Sequence, residues 1–276
     1  MGHFSTAKVL LKAGADPDPP HGLFRNIWDS KELRTLVKNF ENFTDQEYLL
    51  PSILREAAVQ FIRMGQISNA EEMYRRALEW DEKSMGPEHP STLTSVSYLA
   101  RVLQDQRKYE AAEEMYRRAL EGYEKVSGLE HFLTLASVSN LAWVLQDQRK
   151  YEAAEEMYRR ALKEYEKVLG LEHPSTLTCI SNLAWVLQEQ GKYEAAEKMY
   201  RRALEGYERI IGVEHPATLN SVYFLAYLLH NQRRYNDASV LYARASIGFS
   251  KAMRPDHPTT QKCSRKYSSM LFKMES

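Results

Sequence analysis

The chain has 276 residues, and its 37 lysines and arginines are balanced by 37 aspartates and glutamates. A balanced charge gives no reason to expect binding to nucleic acid or to an acidic membrane surface. Cys179 and Cys263 are too few for a disulfide framework, and no apolar run of about 18 residues predicts a membrane span. The composition favours a soluble intracellular protein, which we expect in the cytoplasm.

Residues 1–20 carry a short pattern of their own. Gly2-His3 opens the stretch, Val9-Leu10-Leu11 forms an apolar stripe, and Gly14 to Asp18 forms a closing turn. The stretch resembles the second half of an ankyrin repeat. A half repeat cannot bury its own apolar face, because about three repeats are needed for stability. It is therefore either the end of an ankyrin array in a longer protein, which we favour, or a remnant kept in a short gene product.

A Pro-Pro-His-Gly sequence at residues 19–22 interrupts helical structure where the stretch 21–48 begins. Asp29 or Ser30 is suited to begin a short helix, and Thr44 followed three residues later by Glu47 has the form of a capping box. This stretch is predicted to be a helical linker.

From residue 49 onward the sequence repeats with a step of 42 residues. The residues that keep this step are His89, His131, His173, His215 and His257, together with Tyr74, Tyr116, Tyr158, Tyr200 and Tyr242. A fixed period between about 20 and 50 residues is the signature of a repeat array. The stretches 103–120 and 145–162 are identical, which indicates a recent duplication.

Each copy is predicted to be a pair of antiparallel helices. In the copy at 174–212, apolar residues recur at spacings of three and four over 177–187, after a proline that suits a first helical turn. Gly191 suits a short turn, and a second apolar stripe covers 193–207. Gly212 is placed to end the second helix, because glycine is favoured just after a helix.

The small and aromatic positions of this copy resemble the tetratricopeptide repeat. They are Leu183, Ala184, Tyr193, Ala196, Tyr200 and Ala203. The usual repeat has 34 residues, and a 42-residue step with a Gly-x-Glu-His-Pro-x-Thr-Leu link is similar to the kinesin-light-chain type. The resemblance covers about residues 50–258. It implies an all-α, right-handed superhelical solenoid of antiparallel helix pairs.

The predicted array spans residues 49–258. Its pairs are expected at about 49–86, 90–128, 132–170, 174–212 and 216–254. Residues 259–276 continue the same phase as a single capping helix and tail, in which Tyr267 replaces the repeat leucine and Ser268 the repeat alanine. A polar outer face is what a terminal helix of a solenoid needs. Near-identical repeats also make self-association through the terminal helices conceivable.

The sequence contains no recognisable catalytic, cofactor or metal site. The five repeated histidines lie in equivalent links about 10 Å apart, so they cannot surround one zinc ion, whose ligands lie at about 2 Å. Their predicted role is to cap helix starts. Cys179 lies on an apolar helix face and is predicted to be a core residue. No phosphate-binding loop or nucleophile elbow is present.

The first helix of each pair is expected to line a concave surface, as in other solenoids of helix pairs. The candidate ligand contacts on it are Arg101, Gln104, Asn140, Trp143, Gln146, Asn182, Trp185, Gln188, Tyr227 and His230. Aromatic and arginine side chains are typical binding anchors, and Arg101 is the best candidate for an acidic ligand group.

The resemblance implies a specific role for two of these residues. An asparagine amide can both donate to and accept from a peptide backbone. In peptide-binding tetratricopeptide domains an inward asparagine at this place contacts the main chain of the ligand, and Asn140 and Asn182 match it. The alternative is that both asparagines bond only neighbouring helices. Trp143 and Trp185 are equally suited to packing between repeats.

The predicted function is a non-catalytic scaffold that holds an extended segment of a partner protein, of unknown identity, along the concave surface. No cofactor, nucleic acid or membrane is expected. The alternative is that the array senses ligands for a nucleotide-binding signalling receptor whose switch domain lies outside this chain. A third class, an enzyme, would need activity without any recognisable site.

Overall fold

A computed structural model describes residues 50–253 and 256–275 and shows only helices in these ranges. The eleven helices are α1 (Leu50–Arg63), α2 (Ile67–Met85), α3 (Pro90–Asp105), α4 (Tyr109–Ser127), α5 (Phe132–Asp147), α6 (Tyr151–Val168), α7 (Pro174–Glu189), α8 (Tyr193–Ile211), α9 (Pro216–Asn231), α10 (Tyr235–Met253) and α11 (Pro258–Glu275). The first ten form consecutive antiparallel pairs and α11 follows alone, so the predicted all-α solenoid class is confirmed. The ankyrin-like stretch at 1–20 and the linker at 21–48 lie outside the described residues.

The chain divides into two compact units between Leu129 and Glu130. The N-terminal unit contains α1 to α4, and the C-terminal unit contains α5 to α11. Within a unit, a second helix packs against the first helix of its own pair and against the first helix of the next pair. Thus α2 lies against α1 and α3, and α8 lies against α7 and α9.

The repeated histidines begin the first helices, as predicted. The Nδ1 atom of His173 accepts a hydrogen bond of 3.2 Å from the backbone N–H of Ser175, and this satisfies one of the unpaired donors of the first turn. The same contact occurs at His89, His131, His215 and His257. The histidines are thus structural N-caps, which explains their spacing.

Positive backbone φ angles end the helices at equivalent places. Gly212 follows α8 with φ of 87°, a conformation that glycine adopts without steric cost. The short turn between α7 and α8 has Gly191 at φ of 77°, whereas the equivalent turns have Arg107, Arg149 and Arg233 at φ of 60° to 63°. The turn geometry is therefore kept even where the residue is not glycine.

Small and aromatic residues fill the core between helices. Ala184, Ala196 and Ala203 have no exposed surface, and Tyr200 is equally buried. Alanines at these positions allow adjacent helices to approach closely, while the tyrosine fills the space between two pairs.

The final helix has the polar outer surface predicted for a cap. Thr260, Cys263 and Met270 are buried on its inner side. Gln261 and Ser268 are exposed at positions where α9 has the buried Leu219 and Ala226. The face that a further helix would cover is therefore polar.

Candidate functional site

Eight of the ten candidate residues lie on α5, α7 and α9 of the C-terminal unit. We call them the first-helix surface: Asn140, Trp143, Gln146, Asn182, Trp185, Gln188, Tyr227 and His230. Consecutive helices of this set contact each other, α5 with α7 and α7 with α9. Seven of the eight side chains are half-buried and Gln188 is buried.

The other two candidates, Arg101 and Gln104, lie on α3 in the N-terminal unit. Arg101 is exposed, and its Nε lies 3.4 Å from Oδ1 of Asp105 one turn later. Gln104 is only 5% exposed, and its Oε1 accepts a 3.3 Å hydrogen bond from the Tyr116 hydroxyl. Gln104 therefore supports the packing of α4 on α3 and does not offer its amide to a ligand.

The glutamines of the C-terminal unit occupy the same position as Gln104. Gln146 accepts a 3.4 Å hydrogen bond from the Tyr158 hydroxyl. Gln188 is 3% exposed, which removes it from contact with a ligand in this structure and corrects the predicted role. Its Oε1 and the buried Tyr200 hydroxyl both lack a hydrogen-bond partner among the described residues. His230, the last member of the set, places its ring 6.2 Å from that of Tyr242.

The asparagine position faces the tyrosine of the preceding pair. The Asn182 amide forms a hydrogen bond with the Tyr158 hydroxyl, which opposes the strong rise in the pKa of Tyr158 that burial causes. The equivalent Phe224 stacks on Tyr200, with ring centroids 6.1 Å apart. In the N-terminal unit Tyr98 stacks on Tyr74 at 5.4 Å. Packing between pairs thus uses this position in the copies that have Tyr98 and Phe224.

The tryptophan position is the most suitable for an anchor. Trp185 is half-buried, and its ring makes an edge contact with Tyr151 at 6.0 Å. Trp143 and Tyr227 are half-buried at the equivalent places on α5 and α9. Such side chains have an apolar body that is partly covered and partly accessible, as binding anchors have.

Sequence reasoning missed a group of residues at the end of this surface. Lys262 and Lys266 of α11 place their Nζ atoms 6.0 Å and 5.1 Å from the ring centroids of Tyr223 and Tyr227. The signal in the sequence was that lysines replace the threonine and asparagine of α7 at these positions, Thr178 and Asn182. From the sequence, these lysines were interpreted only as part of the polar surface of the capping helix.

We also searched the described residues for a metal-ligand cluster and a reactive thiol. No three His, Cys, Asp or Glu side chains in residues 50–253 and 256–275 cluster in a way that would hold a metal ion. Cys179 is 2% exposed, and burial raises the pKa of its thiol to about 12. A thiol with that pKa stays protonated near neutral pH, which confirms the predicted core role. In the same ranges no helix has the length and apolarity to cross a membrane.

Solved structures of similar architecture are helix-pair repeat proteins. A kinesin-light-chain-like protein of Podospora anserina with nearly identical TPR-like repeats has a TM-score of 0.64 and 26% identity, covering 75% of this chain and 98% of its own. BtubC from P. vanneervenii has a TM-score of 0.66 and 21% identity, with 83% and 91% covered. A signal-transduction ATPase (STAND) protein of Pyrococcus horikoshii with a tetratricopeptide repeat sensor has a TM-score of 0.63 and 16% identity, and covers 87% of this chain. This chain matches 33% of that protein.

Family comparison agrees with these likenesses. No protein of curated function matches the sequence significantly. The tetratricopeptide repeat model matches residues 49–125, 132–209 and 186–247, which is well over half of the chain. With its 42-residue helix pairs, histidine-capped first helices and alanine-lined contacts, the chain belongs to the tetratricopeptide repeat family.

Proposed function

We propose that this protein is a non-catalytic scaffold, active in the cytoplasm, that binds an extended peptide segment of a partner protein on the first-helix surface. The tetratricopeptide repeat fold is itself suggestive of a protein-interaction scaffold. The observation that carries the peptide proposal is the row of half-buried aromatic residues Trp143, Trp185 and Tyr227 at equivalent positions of three helices.

The repeat spacing suits an extended ligand. Packed helices lie about 8–10 Å apart, and an extended chain advances about 3.3 Å per residue. Consecutive aromatic side chains would therefore meet every third residue or so of a bound segment. Half-buried rings supply contact area at low entropic cost, because a tryptophan or tyrosine has only two side-chain torsions to fix.

The structure narrows which side chains would contact the ligand. Gln104 and Gln188 are buried, and Asn182 bonds Tyr158, so these three support the surface from below. Trp143, Trp185, Tyr227 and Asn140 remain the proposed contacts of the C-terminal unit. Arg101 is the proposed contact of the N-terminal unit.

The test is selection of peptides from a random twelve-residue library on the purified chain. Selected peptides should bind the Trp143→Ala/Trp185→Ala variant at least tenfold more weakly than the wild type, as measured by fluorescence polarisation. The matched control is Val240→Ala, which changes an apolar side chain of α10 that is 70% exposed. Circular dichroism establishes that each variant keeps its helices. If the selected peptides bind both variants as tightly as the wild type, the first-helix surface is not their binding site.

A second candidate is the sensing array of a nucleotide-binding signalling receptor. It is favoured by the likeness to the tetratricopeptide sensor of the STAND protein, of which this chain spans a third. That likeness shows the fold alone. Reading the gene upstream of residue 1 tests it: a nucleotide-binding loop in the same reading frame supports this candidate, and a stop codon there contradicts it.

A further inference from the structure

Several basic side chains of the C-terminal unit form ion pairs with carboxylates of the preceding pair or link. Lys192 lies 2.7 Å from Glu155, and Arg234 lies 2.8 Å from Glu197. Further along the second helices, Arg202 pairs with Glu166 and Arg244 with Glu208. A third row at the inter-repeat links joins Lys167 to Glu130, Arg209 to Glu172 and Lys251 to Glu214. Each row neutralises one basic side chain per repeat.

The first three basic residues of α11 lie outside these three rows. Lys262, Arg265 and Lys266 form no ion pair with a carboxylate in the described ranges 50–253 and 256–275. The two lysines lie over the rings of Tyr223 and Tyr227 instead, and Nε of Arg265 donates to the backbone oxygen of Gln261 at 3.3 Å. We call these five side chains the lysine–tyrosine patch: Tyr223, Tyr227, Lys262, Arg265 and Lys266.

The patch lies at one end of the first-helix surface. Lys262, Arg265 and Lys266 occupy the positions that α7 fills with Thr178, Ser181 and Asn182 and that α5 fills with Ala136, Ser139 and Asn140. Toward the end of the helix, α5 has Asp147 and α7 has Glu189, whereas α9 has Asn231 at the same position. At the three patch positions α5 and α7 are therefore uncharged and α11 is basic, while the acidic residues of α5 and α7 lie at a different position near the end of each helix.

Cation–π contact leaves the positive groups available to a ligand. A lysine ammonium over a tyrosine ring is attracted by the electrons of the ring, and it can still donate hydrogen bonds to an acceptor on the solvent side. The guanidinium of Arg265 adds a fork that matches a carboxylate. Tyr227 thus holds one cation and also belongs to the aromatic row of the first-helix surface.

We propose that the lysine–tyrosine patch binds a cluster of aspartate and glutamate carboxylates at one end of the partner peptide. This inference rests on the proposed function, because it takes the peptide on the first-helix surface as given. Charge complementarity selects the occupant. A nucleic acid or an anionic membrane carries negative charge along its whole length, and Asp147 and Glu189 would repel it from the rest of the surface. A peptide whose acidity is confined to one end avoids that repulsion.

The first experiment repeats the peptide selection on the wild type and on Lys262→Gln/Arg265→Gln/Lys266→Gln. Peptides selected on the wild type should have aspartate and glutamate concentrated toward one end, and those selected on the triple variant should not. The matched control is Lys163→Gln/Lys198→Gln/Arg233→Gln, which removes three exposed positive charges of the same unit that form no ion pair in the described ranges. Acid enrichment should survive in this control.

The second experiment measures one selected peptide and its counterpart with glutamine in place of glutamate. We expect the charged peptide to lose at least tenfold in affinity when the patch is neutralised and to weaken as salt rises from 50 to 300 mM, since exposed charges are screened. The glutamine peptide should bind at least tenfold more weakly than the charged one to the wild type and equally to both proteins.

The outcomes separate this inference from the proposed function. Peptides that depend on Trp143 and Trp185 but show no acid enrichment, or that bind the patch variant unchanged, overturn the inference and leave the scaffold proposal standing. Tighter binding of an anionic vesicle or a single-stranded oligonucleotide than of any acidic peptide also overturns it. Peptides that respond to neither set of variants overturn both.

Discussion

The helix pairs α5–α6 and α7–α8 have nearly the same sequence, yet their helices meet differently. Gly206 of α8 lies so close to α7 that an added Cβ atom would come within 2.5 Å of Cδ2 of Leu177. The equivalent residue of α6 is Glu164, which has a Cβ atom, and the equivalent of Leu177 is Leu135. Both leucines are almost completely buried, at 1% and 2% exposed. The second pair thus uses a glycine contact that the first pair cannot have.

The hydrogen bonds between the two helices of a pair are also closer in α7–α8 than in α5–α6. The Tyr207 hydroxyl lies 2.7 Å from Oγ1 of Thr178 and donates to the backbone oxygen of Pro174 at 3.3 Å. In α5 the threonine is replaced by Ala136, and among the described residues the Tyr165 hydroxyl has only the Oγ of Ser139 as a hydrogen-bond partner, at 3.4 Å. Burial raises the pKa of both tyrosines, so both hydroxyls are protonated near neutral pH.

The comparison shows that repeats of one family divide between tight and loose versions of the same contact. Helix α5 also begins with Phe132, which is 60% exposed, where α7 has a proline suited to a helix start. In a solenoid each pair contacts only its neighbours, so such differences act locally. We therefore expect α5–α6 to open more readily than α7–α8.

The largest effect is expected from exchanging the residue at the close contact. Gly206→Glu should destabilise the chain by about 2 kcal/mol, because overpacking a well-filled contact costs roughly 1–3 kcal/mol. Glu164→Gly should change stability by less than about 1 kcal/mol, since relief of crowding is offset by the low helix propensity of glycine. Urea unfolding measures both, and hydrogen exchange should place the first loss of protection in α7 and α8. If the urea midpoint of Gly206→Glu equals that of the wild type, the close contact at Gly206 does not make the stability of α7–α8 differ from that of α5–α6.

A smaller effect is expected from removing the tyrosine hydroxyls. Tyr207→Phe should cost about 1 kcal/mol, the typical net contribution of a hydrogen bond. Tyr165→Phe should cost less than about 0.5 kcal/mol, because only the long contact to Ser139 is lost. Each variant serves as the control for the other in the same urea experiment. Equal losses for the two would show that the hydroxyl contacts do not distinguish the pairs.

The smallest effect concerns the junction between the two pairs. Burial raises the pKa of Glu155, but hydrogen bonds from Lys192 and Arg159 outweigh it and hold the pKa below the ordinary value of 4.5. A carboxylate with a lowered folded-state pKa stabilises the protein above its ordinary pKa and loses this contribution as the pH falls. Glu155→Gln should therefore cost about 0.5 kcal/mol at pH 7, given the exposure of its partners.

The pH dependence of this stability difference tests the role of the Glu155 charge directly. The difference between the wild type and Glu155→Gln should shrink as the pH falls below about 4.5. Glu156→Gln, an exposed neighbour on the same helix, is the control and should show no such change. A difference that stays constant from pH 7 to pH 3 would mean that the carboxylate does not link the two pairs through its charge.

Much of this architecture was predictable from the sequence because it depends on local, repeated chemistry. A 42-residue period, apolar spacings of three and four, histidines before helices and glycines after them identified the helix pairs before any tertiary contact was known. Ala184 and Ala203 were identified as small positions of the repeat, and both are fully buried. These features depend on residues that are close in sequence or that repeat along it, so they can be predicted without knowledge of tertiary contacts.

The roles of the candidate site residues depended on contacts between copies. The sequence placed Asn182 and Gln188 on the expected ligand-facing side, but it could not show that Asn182 bonds Tyr158 or that Gln188 is buried. It also treated Lys262 and Lys266 as a polar cap, since their aromatic partners lie 39 residues earlier on another helix. Periodicity predicts which face of a helix is apolar. Only the packing of neighbouring helices decides whether a polar side chain on the other face is covered, paired or open to a partner.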